Sequence, residues 1–583
     1  MLAGVLSASI IVIPEEIDMM FYTTGAESAA IDKKTIEEIG IPQMVLMERA
    51  ALALAEETAR LIKGKKILAV CEGGNNGGDG VCCARILHEW GYQADVFYIG
   101  GLRKTSEAFR KQCEIAEKCG VKILYNSSVK DNSADDNKTE SEDNLYAELS
   151  EIIDDYDAVI DAVFGVGLSR NVQGVQAEVI EVINASKAAR PGLPVIACDI
   201  PSGISTESGK TLGTAVKADL TVTFGFTKLG MLFGDGREFS GRIITRDIGF
   251  PAIASEEVQV RHYGFDISDV RRLLPIRHAD ANKGNFGKLL LVAGNSEISG
   301  AAVIAGQAAF RAGAGLVKIF TDRANRDIIG AAVPEALLTC YEMSGIDGLG
   351  NTEGNSEFYD MVSNAVKWST AVAIGPGLGT DESAVRLLEM VLDAAHWYYK
   401  PVVIDADAIN IISAERELLK KYLIEKEKSK DTDGSYESEW RLKEARMIIT
   451  PHMLEMARLI REDGEEVKAA LGRIADNRFE VAKSVSNEYN VISVLKDART
   501  VVSDGSDSFY INTNGNSGMA KGGSGDSLTG IIGSLLAQGM KPYDAARVGV
   551  FIHGAAGDKA AERCGQIGMT ATDLNDSIAD IMN

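Results

Sequence analysis

From about Ile41, apolar residues recur on one face at Leu46, Ala50, Ala53 and Leu54, the spacing of a helix, and Gly64 closes it. KILAV (Lys66 to Val70) is then a short unbroken apolar run of strand type. It leads into the glycine-rich CEGGNNGGDG, a helical GVCCARILHEW, Gly91 and a second strand, ADVFYIG (Ala94 to Gly100). This is a strand–helix–strand unit with glycines at its first turn, the pattern of a Rossmann-like fold. Further apolar runs end at Gly167 (AVIDAVFGVG), Gly203 (PVIACDIPSG) and Phe226 (LTVTFGF). Near-continuous apolar strands between helices predict a parallel sheet covered on both faces, a three-layer α/β sandwich.

The pattern breaks after Phe250 and Pro251, and the stretch to about His278 reads as a connector with one helix, DISDVRRLL. A second α/β series starts at GKLLLVAGN (Gly287 to Asn295) and continues through TAVAIGPGLG, PVVIDADAIN, ARMIITPH and VISVLKD. Two α/β domains follow, 20–250 and 251–583. Two polar stretches, Asn126 to Asn144 and Glu425 to Trp440, are predicted to be solvated insertion loops.

A length of 583 residues exceeds what one core usually supports, in keeping with two domains. The formal net charge of −24 repels phosphate backbones, so no nucleic-acid partner is expected, and an anionic ligand must be held by local amides and a few cations. The eight cysteines show no CxxC pair and read as small core side chains of a reducing compartment. Leu2 to Ile13 are apolar but too short to span a bilayer and lack a basic front, so Met19 or Met20 is a candidate start. No membrane segment is expected, and the chain is placed in the cytoplasm.

Ligands of open α/β sheets sit beyond the carboxyl ends of the strands. Three features of the front half fall there. After KILAV come Asn75, Asn76, Gly77, Gly78 and Asp79, ahead of a helix, where amides and the helix dipole suit an anion. Asp79 adds charge of the wrong sign, so it reads as a hydroxyl acceptor, a helix cap or a general base. Asp161, with FGVGLSR behind it, is the second feature, and Asp199 in DIPSG, with Ser202, the third. Asn76, Asp161 and Ser202 would make an all-oxygen set suited to a hard cation. Asp161 and Asp199 could equally be loop caps.

The most specific stretch of the back half runs from Asn512 to Gly539, NTNGNSGMAKGGSGDSLTGIIGSLLAQG. Its glycines precede Asp526 and an apolar helix predicted to begin at about Leu528. A glycine turn there makes an anion hole, and Asp526 stands where a general base could reach a hydroxyl. The segment Lys496, Asp497, Ala498, Arg499, Thr500 could reach nucleotide phosphates, Asp405 and Asp407 could orient substrate or hold Mg²⁺, and His452 follows a strand end, where a substrate contact is favoured over a purely structural role.

The GxGD pattern resembles the ribokinase-like superfamily, in which this aspartate deprotonates the hydroxyl that attacks a nucleotide phosphate. As a whole, GGNNGGDG, DAVFGVGLSR, CDIPSGIST, KADLTVTFGFTKLG, KGNFGKLLLVAGN, SGAAVIAGQAAFRAGAGLVKI, GPGLG, DADAIN, TPHMLEMARL and MAKGGSGDSLTG resemble the bifunctional NAD(P)H-hydrate repair family from about Thr23 onward. The resemblance implies an epimerase in front, interconverting the R and S hydrates of NADH or NADPH. It implies a ribokinase-like dehydratase behind, which removes water from the S form with ADP, giving AMP and phosphate. It implies hydrate contacts at Asn75 to Asp79, at Gly165, Val166, Gly167, Leu168, Ser169, Arg170 and Asn171, and at Asp199, with potassium at Asn76, Asp161 and Ser202. In the dehydratase it implies hydrate contacts at Ala301, Gly377, His452 and Asp526, nucleotide contacts at Lys496 to Thr500 and Gly525, Mg²⁺ with the ADP, and a homo-oligomer. Two departures stand out: Met453 and Leu454 replace a Pro-Gly turn, and Asp497 replaces a glycine, an acidic residue beside the expected ADP. The competing expectation is a ribokinase-like small-molecule kinase with a non-catalytic front module.

Overall fold

The apolar run after Gly64 forms strand β2 (Lys66–Cys71), with Ile67 to Cys71 all buried. The computed structural model describes residues 20–100, 105–125, 142–342, 352–428 and 445–582. The chain divides into two compact units, one formed by Phe21–His262 and one built on Tyr263–Asn583.

In the front unit the strands are β1 (Met20–Thr23), β2, β3 (Gln93–Tyr98), β4 (Ile123–Tyr125), β5 (Ala158–Ala162), β6 (Val195–Cys198), β7 (Leu220–Phe224), β8 (Thr227–Lys228) and β9 (Arg242–Arg246). Seven of them make a parallel sheet in the order β4-β3-β2-β5-β6-β7-β9. The chain moves outward from β2 to β4 and then returns to place β5 on the other side of β2. That reversal opens a crevice beyond the carboxyl ends of β2 and β5, the position at which open α/β sheets bind ligands. A separate parallel pair sets Thr23 of β1 opposite Lys228 of β8. Helices α1 (Gly25–Lys33), α2 (Gln43–Leu61) and α3 (Asn75–Glu89) carry one wall of the unit. The predicted face of α2 is the buried one: Leu46, Ala50, Ala53 and Leu54 pack against Ile67, Ala69 and Val81. Thr24 caps α1 through a reciprocal pair with Glu27, which fixes where that helix starts.

Strand β10 (His262–Gly264) stands at the boundary of the two units, and the predicted connector helix is found at Ile267–Leu273. The back unit contains β11 (Lys288–Val292), β12 (Leu316–Asp322), β13 (Leu337–Tyr341), β14 (Ala371–Ile374), β15 (Val402–Ile404), β16 (Met447–Ile449), β17 (Val491–Leu495), β18 (Val501–Ser503) and β19 (Phe509–Ile511). Their order is β13-β12-β11-β14-β15-β16-β17-β18-β19, parallel through β17 and antiparallel over the last two pairs. Again the chain reverses, here between β11 and β14. Both units are therefore α/β, as the hydrophobic pattern predicts.

Most of the predicted insertion loops, residues 126–141 and 429–440, lies outside the described residues. Their ends are corrected: Glu142 to Asn144 open the helix Glu142–Asp154, and Glu425 to Lys428 close the helix Glu417–Lys428. Leu2 to Ile13 and Met19 also fall outside. No described helix is long and apolar enough to cross a membrane.

Candidate functional sites

The front crevice is a cavity of about 980 Å³. Of the residues expected there, Asn75, Asn76, Asp79, Gly165 to Arg170 and Asp199 line it. Gly77, Gly78 and Asn171 do not, and Asn171 is exposed. The expectation that Asn75 to Asp79 precede a helix is corrected, because they are the first residues of α3, which Gly74 caps. Gly77 and Gly78 are buried packing positions. A Cβ on Gly77 would sit 1.7 Å from the Glu72 carbonyl oxygen, and one on Gly78 would sit 2.7 Å from Cε of Met47. The amides of Asn75, Asn76 and Gly77 have no acceptor among the described residues, so this end of α3 keeps the donors of an anion site.

Asp199 leaves β6 with φ +68°, a left-handed conformation rare outside glycine. Its Oδ1 accepts from the Phe224 amide and the Thr223 hydroxyl, each at 3.0 Å, and from the Lys228 ammonium. Its Oδ2 has no partner among the described residues. Lys228 is buried and also donates to the Thr223 hydroxyl and the Phe224 carbonyl, both at 3.0 Å. Two further carboxyls face the same cavity. Burial raises Asp79 well above the usual carboxylate range, with Asp199 and Asp32 adding to it, and burial likewise raises Asp32. Asp32 and Lys228 were not singled out from the sequence. Lys228 lies inside the TFGFTKLG stretch, and its apolar flanks were the available signal. Phe226 and Phe250, stacked at 6.4 Å between centroids, complete an apolar wall.

Asp161 and Ser202 meet beneath this cavity. The Ser202 amide donates to Asp161 Oδ2 at 2.8 Å and its hydroxyl to Oδ1 at 2.6 Å, while the Phe164 amide donates to the Ser202 hydroxyl at 2.8 Å. Asn76 joins them through its Nδ2, which donates to the Phe164 carbonyl at 3.0 Å and leaves Oδ1 free. Asp161 is fully buried with no cationic side chain paired to it, and burial pushes it up to about 6.

In the back unit the expected residues come from six segments. The helix after the glycine turn is Ser524–Ala537, so the prediction of a start at Leu528 is corrected: Gly525 and Asp526 lie in its first turn, and Gly523, at φ +91°, is its cap. The amides of Gly525 and Asp526 have no acceptor among the described residues. His553 Nε2 lies 2.8 Å from the Ser524 carbonyl, and burial lowers this imidazole to about 4, so it is a neutral donor that steadies the turn. Asp526 is pushed up to about 6, first by burial and then by Asp405, while Lys496 opposes the shift.

Asp405 is buried, with Oδ1 accepting from Lys496 Nζ at 2.7 Å and from the Thr450 hydroxyl at 2.6 Å, and Oδ2 from the Thr529 hydroxyl at 2.6 Å. Both oxygens are engaged within the protein, which corrects the reading of Asp405 as a metal ligand. Asp407 accepts from the Gly379 amide through Oδ2 only, at 2.9 Å. Lys496 to Thr500 form the tip of the β17–β18 hairpin, since Leu495 pairs with Val501. A Cβ on Gly525 would lie 3.4 Å from Lys496 Nζ, so the hairpin tip and the glycine turn adjoin. Asp497 is turned away into an ion pair with Arg478 at 3.0 Å, which neutralises the departure seen in the sequence.

His452 caps the helix Met453–Ile460, its Nδ1 accepting from the Leu454 and Glu455 amides at 3.1 and 3.2 Å. The structural role thus takes Nδ1, while Nε2 of this half-exposed ring lies 3.4 Å from Glu455 Oε1. Met453 and Leu454 continue straight into that helix in place of a Pro-Gly turn. Glu455, missed from the sequence, is buried beside Lys496 and pushed up to about 7 by burial. Gly377 and Ala301 lie together at the β11–β14 reversal: a Cβ on Gly377, at φ +62°, would be 3.1 Å from that of Ala301.

Residues 43–230 match the family model described as YjeF-related protein N-terminus, and residues 289–580 match NAD(P)H-hydrate dehydratase. The chain is 34% identical over 552 residues to the bifunctional NAD(P)H-hydrate repair enzyme Nnr of Thermofilum pendens, covering 94% of each chain. It is 30% identical to the Escherichia coli enzyme of the same name, over 95% of this chain and 92% of that one. Among solved structures it is similar to the ADP/ATP-dependent NAD(P)H-hydrate dehydratase of Bacillus subtilis, at 25% identity over 55% of this chain and 96% of that one, with a TM-score of 0.41. With both models matched in order and near full-length relatives at this identity, the chain belongs to the family of bifunctional NAD(P)H-hydrate repair enzymes.

Proposed function

We propose that the chain repairs hydrated nicotinamide nucleotides, its front unit interconverting R- and S-NAD(P)H hydrate and its back unit dehydrating the S form with ADP. The dihydropyridine ring is an enamine, so water adds with its proton on the carbon β to nitrogen and its hydroxyl on the carbon beside nitrogen. Removing that hydroxyl needs a better leaving group. The observation that carries the reading is Asp526, a carboxylate pushed up to about 6, set in the first turn of a helix where its own amide and that of Gly525 have no acceptor among the described residues.

Ionised Asp526 takes the proton of the ring hydroxyl as its oxygen attacks the terminal phosphorus of ADP. The bond from that phosphorus to the bridging oxygen breaks and AMP leaves. The ring nitrogen then expels phosphate, and loss of a proton from the neighbouring carbon restores the double bond. The amides of Gly525 and Asp526 receive the phosphoryl oxygens, and Lys496 adds a positive charge beside them. Ala301, Gly377 and Nε2 of His452 contact the hydrate, and the hairpin tip Lys496 to Thr500 with Gly525 holds the nucleotide. Mg²⁺ would accompany ADP and fits Asp407, whose Oδ1 has no partner among the described residues, and it would offset phosphate charge there.

In front, the α3 amides, Gly165 to Asn171 and Asp199 bind the hydrate. Asn76, Asp161 and Ser202 fit potassium, because a buried carboxylate without a counter-charge is joined by neutral oxygen donors. The ion would neutralise Asp161 and fix the segment that follows it. Eight free cysteines agree with a cytoplasmic setting.

Incubating the protein with NADPH hydrate and ADP while following reduced-nicotinamide absorbance and AMP release tests the assignment. Recovery of absorbance with one AMP per ring supports it. A phosphorylated product with no recovery assigns a kinase instead.

A further inference from the structure

We propose that the front unit inverts its substrate by breaking and remaking the carbon–oxygen bond, with Asp79 as the acid and Oδ2 of Asp199, in its pair with Lys228, as the base. This rests on the epimerase reading and supplies its chemical step.

The argument begins with the count of charges in the cavity. Asp32, Glu37, Glu72, Asp79 and Asp199 line it together with Lys33, Arg170 and Lys228, and of these cations Lys228 is the one that bears on Asp79 and Asp32. That ammonium is bound to Asp199 and to two neutral oxygens, so it compensates one carboxylate and no more. The Asp79 and Asp32 carboxyls have no hydrogen-bond partner among the described residues, although both lie in a largely enclosed setting. Burial acts more strongly on Asp79 than on Asp32, so Asp79 is the carboxyl that holds its proton and Asp32 ionises first as pH rises. Of the charged groups facing Asp79, Asp32 from α1 and Asp199 from the end of β6 disfavour the anion and Lys228 favours it, while the buried thiols of Cys198 and Cys83 stay uncharged. Asp199 has the opposite setting. Three donors fix its Oδ1 and leave Oδ2 as a bare acceptor on the cavity wall. One pocket therefore offers a carboxylic acid and a carboxylate, the pairing that acid–base chemistry requires.

The substrate makes that pairing useful. Its stereocentre carries a hydroxyl and the ring nitrogen, so the nitrogen lone pair can expel the hydroxyl once it is protonated. Asp79 gives its proton to the hydroxyl, the carbon–oxygen bond breaks, water leaves and a ring iminium forms. Water then adds to the opposite face of the same carbon, and Oδ2 of Asp199 takes the proton it sheds. Return of that proton to Asp79 through the cavity restores both groups. No oxidant or reductant enters. Phe226 and Phe250 offer the flat cation an aromatic wall.

The test uses the full chain and purified R-NADPH hydrate, with R-to-S exchange followed against pH. Wild type is measured first: absence of exchange there removes the epimerase reading itself, not only the step. With exchange present, the rate is expected to fall at high pH as Asp79 loses its proton. Asp79→Asn should lower kcat by about 100-fold or more and abolish that alkaline fall. Asp32→Asn removes a like charge and should move the fall to lower pH while keeping the low-pH rate. An Asp79→Asn enzyme that keeps wild-type kcat, or an Asp32→Asn enzyme with an unmoved profile, overturns the proposal. Infrared spectroscopy at neutral pH gives a readout independent of turnover. A protonated-carboxyl contribution lost in the Asp79→Asn minus wild-type difference spectrum supports the acid, and identical spectra overturn it.

Discussion

Lys496 and Asp405 form an ion pair of 2.7 Å, with Asp405 almost wholly excluded from solvent. Burial is the largest influence on each and opposes its charged form; Lys496 with the Thr450 and Thr529 hydroxyls overcomes it for Asp405, and Asp405 with Glu455 and Asp526 overcomes it for Lys496, so Asp405 stays below and Lys496 above its ordinary range. Removing one member strands the other. Asp405→Ala is expected to destabilise the back unit by about 3–5 kcal/mol, whereas Asp405→Ala with Lys496→Met should recover much of that loss. Urea unfolding of the two variants checks this. A double variant no more stable than the single one would mean the pair is not the reason.

Asp526→Asn should cut S-hydrate dehydration by about 100-fold or more while R-to-S exchange continues. Because the base must be ionised and its pKa is about 6, wild-type dehydration should decline as pH drops below that value and level off above it. Steady-state AMP release between mildly acidic and mildly basic pH reads both effects.

Potassium should raise the melting temperature of the protein above that in an equal concentration of choline chloride, because it neutralises the buried carboxylate of Asp161. Asp161→Asn removes the charge and should remove the dependence on potassium. Differential scanning calorimetry in the two salts distinguishes the outcomes.

Arg478→Ala frees the carboxylate of Asp497 beside the expected nucleotide. The pair is partly exposed, so the effect is modest: a loss of roughly 0.2–1 kcal/mol, seen as an increase in KM for ADP of up to about fivefold with little change in kcat. Kinetics over a range of ADP concentrations measure it, and Arg478→Ala with Asp497→Gly should restore the wild-type KM.

Asp199→Ala should abolish consumption of the R hydrate and leave dehydration of the S hydrate intact. Continued R turnover, followed chromatographically with ADP present, would place the front chemistry elsewhere.

Many strands were legible because they are short runs dominated by apolar and β-branched residues and bounded by turns, a signal that does not depend on tertiary context. KILAV, AVIDA and LTVTF all became buried strands. Helix starts were less legible. Asn75 and Ser524 begin their helices within glycine-rich runs, where propensity argues for a loop but a capping glycine and the packing of the first turn prevail. Glycines that look like phosphate cradles proved to have two roles, since Gly77 and Gly78 exist because a neighbouring segment leaves no room for a side chain. Asp32 escaped notice because its setting comes from residues remote in the chain, Asp199 and Lys228, whereas the apolar flanks of Lys228 and the spacing of Glu455 after His452 were local signals that went unused.

The ammonium of Lys496 is held by a carboxylate that is itself held by the hydroxyls of Thr450 and Thr529, so it draws on four stretches spread over more than a hundred positions. A chain that has assembled only some of them cannot present this cation beside the glycine turn. Under the proposed chemistry, an unfinished or partly melted copy would therefore bring no such cation to ADP.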